Sequence, residues 1–81
     1  MIYQVLGQLE IDDSAEAVSY NYENINEAVD FYRDSFINMA EDITEFGGTF
    51  VVTLISISDD KKVTLLKRNT ITTTINELYH V

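Results

Sequence analysis

The chain has no cysteine, no proline and a single histidine among its 81 residues. Each scarcity excludes something. Without cysteine there is no disulfide, no thiolate metal site and no thiol nucleophile. His80 stands next to the last residue, where chains are seldom held rigidly enough for general-base work. The serines therefore lack a plausible His-Asp partner. Glycine is also sparse, and Gly47-Gly48 is not followed by the Lys-Ser/Thr step of a phosphate-cradling loop. No stretch approaches the ~20 apolar residues that cross a bilayer. Residues 1–11 have neither a basic start nor an unbroken apolar run, so no signal peptide is expected. Together these absences predict a non-enzymatic, cofactor-free, soluble cytoplasmic protein.

Positive charge is the other scarcity. Five bases face fourteen acids, for a net charge of −9. That disfavours direct contact with nucleic acid or an anionic membrane and favours a basic partner. Four of the bases, Lys61, Lys62, Lys67 and Arg68, lie within eight residues, and Arg33 is the fifth. A hydrophobic content of 46% is that of a folded protein, and the length suits one domain spanning residues 1–81.

The most informative stretch runs from Glu23 to Phe46. At about 100° per residue, Ile25, Ala28, Val29, Tyr32, Phe36, Met39, Ala40, Ile43 and Phe46 share one broad side. Glu23, Glu27, Asp30, Asp34, Glu41 and Glu45 form a narrow acidic stripe on the other, gapped where Asn38 replaces a carboxylate. This spacing predicts one long amphipathic helix. Asn24 is a good N-cap with Glu27 at capping-box distance, although Glu23 could equally lie just outside. No proline interrupts the run, and Gly47-Gly48 ends it.

Around it the pattern has period two. Residues 2–11 alternate Tyr3, Val5, Gly7, Leu9 and Ile11 against polar neighbours, with Gly7 expected to be a bulge or a close backbone approach. Asp12-Asp13-Ser14 is turn chemistry. Residues 16–22 read as a second strand hairpinned to the first, with a short helix over 14–19 as the competing reading. Residues 49–58, β-branched and apolar on both faces, predict a central strand. A tight turn at 58–61 leads to a fourth strand over 62–68. Residues 69–74 suggest a fifth, edge strand, and Thr74-Ile75-Asn76-Glu77 has the spacing to open a helical turn. The expected fold is α+β: one long amphipathic helix on a mainly antiparallel sheet of four or five strands, ordered β-β-α-β-β with a short C-terminal strand or helical turn. One helix cannot cover both faces of such a sheet, so Val51, Ile55, Ile57 and Leu66 are candidates for a homodimer or partner interface.

Two acidic clusters, Asp12-Asp13-Glu16 and Glu41-Asp42-Glu45, invite a cation, but neither has the internal glycine of a calcium loop. A solvated turn and a solvated helix end account for them better. The long stripe is harder to explain as passive surface. Carboxylates at i and i+4, as in Glu23–Glu27, Asp30–Asp34 and Glu41–Glu45, repel one another by ~0.2–0.5 kcal/mol per pair. Glu41, Asp42 and Glu45 also oppose the macrodipole at the helix C-terminus, at ~0.3–1 kcal/mol each. A pattern that works against its own helix points to function. Four residues of helix rise ~6 Å, comparable to the spacing of phosphates along a strand. Such a row suits a groove of Lys and Arg that normally holds a nucleic-acid backbone. Phe31 and Ile37 flank the stripe and are candidate apolar anchors, with partial burial as the alternative for each.

In size, charge and the residues Glu23, Glu27, Asp30, Asp34, Glu41 and Glu45, the chain resembles the small acidic proteins with which phages block host nucleic-acid-binding enzymes. These are the nucleic-acid mimics of the anti-restriction and anti-CRISPR type. The resemblance covers general character, without a diagnostic motif, and it implies a basic nucleic-acid-binding partner in a host cytoplasm. Lys61 to Arg68 depart from a uniformly acidic mimic and read most simply as an edge strand protected by lysine. The rival reading is a structural or assembly module that homodimerises through its sheet.

Overall fold

The structure, a computed structural model, describes residues 1–11 and 14–73. Four strands and one helix follow one another as β1 (Ile2–Ile11), β2 (Ser14–Tyr22), α1 (Ile25–Phe46), β3 (Gly48–Ile57) and β4 (Val63–Thr73). This is the expected α+β order. The reading of 14–19 is settled as strand. The helical turn expected after Thr74, the turn residues Asp12 and Asp13, and His80 lie outside the described residues.

The helix begins where its capping chemistry begins. Asn24 is extended, and its side-chain oxygen accepts from the Asn26 N–H at 2.7 Å. The Ala28 N–H donates to the Asn24 carbonyl at 3.2 Å, closing the first turn. Glu23 therefore precedes the helix. At the other end Gly47, with φ of 80°, donates its N–H to the Ile43 carbonyl at 2.9 Å. That is the positive-φ stop which glycine supplies at little cost.

The sheet is antiparallel throughout, in the order β2-β1-β3-β4. β3 is central, as its two-sided apolar composition predicts. Two expectations change. The separate fourth and fifth strands are a single strand, β4. Its pairing with β3 slips by one residue, from Leu54–Lys67 to Ile55–Leu65, leaving Leu66 as the extra residue. A bulge reverses the alternation without ending the strand, which is why the pattern looked like two. Gly7 is not a bulge: a Cβ there would meet Val18 Cγ2 at 3.4 Å and Phe50 Cε1 at 3.5 Å, ordinary contact distances.

Alternation divides the sheet into two faces. Val5, Phe50, Val52 and Leu54 point at the helix and pack with Ala28, Tyr32 and Ile43 to form the core. Tyr3, Leu9, Tyr22, Phe31, Phe36, Met39 and Ile71 close around it. The opposite face has no layer upon it among the described residues.

Tyr32 is the one member of this buried core with a polar side-chain atom. Its side chain is 4% exposed, yet its hydroxyl has no hydrogen-bond partner among the described residues. Burial raises the phenol pKa above the ordinary 10.0, while neighbouring Asn69 acts more weakly in the other direction. A raised folded-state value means that the unfolded chain loses its proton first. Stability is therefore fully present below pH 10.0 and declines as pH rises through the folded-state value. Tyr32→Phe is expected to add about 1 kcal/mol at neutral pH, because it removes an unmet buried hydroxyl. It should also flatten part of the alkaline decline. Urea unfolding on both sides of pH 10.0 measures both effects.

Candidate functional site

The candidate site is the outer side of α1. Glu27, Asp30, Asp34, Glu41 and Glu45 are all exposed there. Over this helical stretch they form a ridge about 27 Å long at 1.5 Å per residue. Glu23 is also exposed but lies in the bend before α1, so it prolongs the ridge without sharing the helix's rigidity. The last helical turn contains no base, and the negative charge there faces an unfavourable dipole end.

Little of this charge is neutralised. Asp30 accepts from Arg33 at 3.1 Å in an exposed i,i+3 pair, the only ion pair on the helix among the described residues. The other ion pair described joins the N-terminal amine to Asp59 at 3.2 Å, away from the ridge. The basic strand does not reach across to it. Lys67 Nζ lies over the Tyr32 ring, 5.9 Å from its centroid, in the groove between α1 and β4. Arg33 lines the same groove with Val29 and Phe36. Arg68 pairs in register with Thr53, on the side of the sheet away from the helix. Viewed along its axis, α1 thus has an acidic crest and one basic shoulder, above β4.

The two candidate anchors separate. Phe31 is half-buried, with its ring centroid 4.8 Å from that of Tyr20 and 5.8 Å from that of Tyr22. It packs the helix onto β2 and is not a free anchor. Its partners were present in the sequence as the alternating tyrosines of β2, but nothing local says that β2 lies beneath that shoulder of the helix. Ile37 is 52% exposed and stands beside the ridge, one turn from Arg33 and Glu41. The contact stripe is also narrower than the apolar pattern implies. Ile25, Val29 and Phe46, expected to be covered, are each at least 40% exposed. A helix resting on a sheet touches it along one stripe, so the shoulders of a broad apolar side stay in water.

The carboxylates lie on a convex surface, whereas paired acid–base work needs a cleft that drives two pKa values apart. Among the described residues, no three His, Cys, Asp or Glu side chains are grouped to hold a metal ion. No helix among them is long and apolar enough to cross a membrane. What the ridge can do is accept charge-assisted hydrogen bonds from Lys and Arg along most of its length. No family model, curated protein or solved structure matches the chain.

Proposed function

We propose that the protein is a non-catalytic inhibitor that binds a basic nucleic-acid-binding protein and presents the α1 carboxylates in place of phosphates. This is an inhibitor of the anti-restriction or anti-CRISPR type. The observation that carries the reading is the exposure of Glu27, Asp30, Asp34, Glu41 and Glu45 together, with one of the five paired to a base. A passive outer surface would mix signs, because opposite charges at i and i+4 stabilise a helix and like charges destabilise it. Here the unfavourable arrangement is carried by a rigid element at a pitch near that of phosphates. Association would be fast and electrostatically steered, and it would weaken steeply with salt. Ile37, exposed beside the crest, is the residue placed to add apolar contact at the edge of that interface.

The test is displacement of labelled duplex DNA from a DNA-cleaving effector whose DNA channel is lined with Lys and Arg. The expected result is loss of bound DNA as the protein is added at low salt, with recovery as salt rises. Tight binding that leaves DNA occupancy unchanged would exclude competition at the phosphate groove.

A further inference from the structure

The face of the sheet opposite α1 is as unusual as the ridge, for the opposite reason. Register places Ile2, Ile57 and Val63 in one cross-strand row, Gln4, Ile55 and Leu65 in the next, and Leu6, Thr53 and Arg68 in the third. Val63 and Leu65 are each 59% exposed and Ile2 is 42% exposed. The alternate positions of all four strands put one acid, Glu10, and one base, Arg68, on this face. The rest of the face is aliphatic, threonine, serine, alanine or amide. In a chain with a net charge of −9, a solvent-facing sheet surface with no net charge is depleted of charged residues. Loss of charge at the centre of a patch is the compositional mark of an interface.

We infer that this face binds a second copy of the same chain, sheet against sheet. Two observations select that occupant. The first is charge. Two copies that each carry −9 repel wherever their acidic surfaces approach, and this neutral face is where the repulsion is least. A strongly basic partner finds no attraction here and is drawn to the ridge instead, while a nucleic acid is repelled by the chain as a whole. The second is area. Four strands about 4.8 Å apart and about 33 Å long offer on the order of 600 Å² per copy. Stacking two such faces about 10 Å apart removes roughly 1,200 Å² from water, which reaches the range of specific stable interfaces. The contact is isologous and closes at two copies, because α1 covers the other face of each sheet. In the closed pair the acidic ridges face outward on opposite sides. The inference rests on the sheet alone and stands whether or not the ridge imitates phosphates.

Light scattering or sedimentation equilibrium over a concentration series is the test, with Ile2→Glu and Leu65→Glu beside the unaltered chain. The unaltered chain is expected at twice its 9.3 kDa, with association unchanged or tighter in high salt, which screens repulsion and leaves apolar contact intact. Each substitution is expected to weaken association by more than tenfold while the far-ultraviolet circular dichroism stays the same. If a glutamate unfolds the chain, Leu65→Thr replaces it, since threonine suits an exposed strand position. A monomer at every concentration, or a dimer dissolved by salt, would overturn the inference. So would a dimer that survives both substitutions. Ile2 lies on β1, two strands from the β4 edge, so that last outcome would indicate edge-to-edge pairing.

Discussion

Reversing two carboxylates at the centre of the ridge, Asp30→Lys together with Asp34→Lys, is expected to weaken binding to a basic target by about 100-fold or more, on the order of 3 kcal/mol. Both residues are exposed, so the reversal places positive charge where the proposed target groove is itself positive. Each site then loses an attraction and gains a repulsion. The fold should be almost indifferent. Asp30 gives up one exposed pair with Arg33, and pairs of that kind contribute ~0–1 kcal/mol. Asp34 gives up no ion pair among the described residues. DNA displacement and thermal melting, run side by side, separate the two consequences. Lost displacement with an unchanged melt supports the interface. A collapsed melt would move these residues to the scaffold and leave the ridge without a role.

Gly48→Ala is expected to cost about 3 kcal/mol or more, the upper part of the usual range for a residue forced into a sparsely populated backbone region. Gly48 has φ of +118°, a conformation that residues with a Cβ rarely adopt. A Cβ built there would lie 2.4 Å from the Glu10 carbonyl oxygen and 3.0 Å from Ile11 Cγ1. The first neighbour is backbone within the β1–β3 pairing, so relief means shifting the sheet and not merely turning a side chain. A chain of this length has about a dozen kcal/mol at most, so the loss should be plain in the denaturant midpoint. Gly7→Ala is the internal control. Its Cβ would meet only ordinary contacts, and the change should stay within about 1 kcal/mol. Equal midpoints for the two variants would show that the chain leaves α1 by another path.

Much of the architecture was legible because it depends on local period. The helix from Ile25 to Phe46, the strand from Ile2 to Ile11 and the central strand from Gly48 to Ile57 match the sequence reading to within two residues. Asn24 and Gly47 mark the ends of the helix by chemistry that acts over a few bonds. The acidic ridge was legible for the same reason, since five of its six carboxylates share one helix. Less was legible where one element must know its neighbour. The bulge at Leu66 depends on the register against β3, and it turned an apparent pair of strands into one. The sequence left Phe31 open between anchor and partial burial, and Tyr20 and Tyr22 of β2, packed against its ring, decide for burial.

The linear order of residues was therefore enough to determine where the helix and strands lie, which side of the helix is acidic and which strand is central. Each follows from periodicity, capping and side-chain shape within a few residues of itself. Tertiary structure alone decided the order of strands in the sheet, the half-burial of Phe31, the exposure of Ile37 and which residues share the face that α1 leaves uncovered. Those depend on which surfaces meet across long stretches of chain, and no local pattern encodes that meeting.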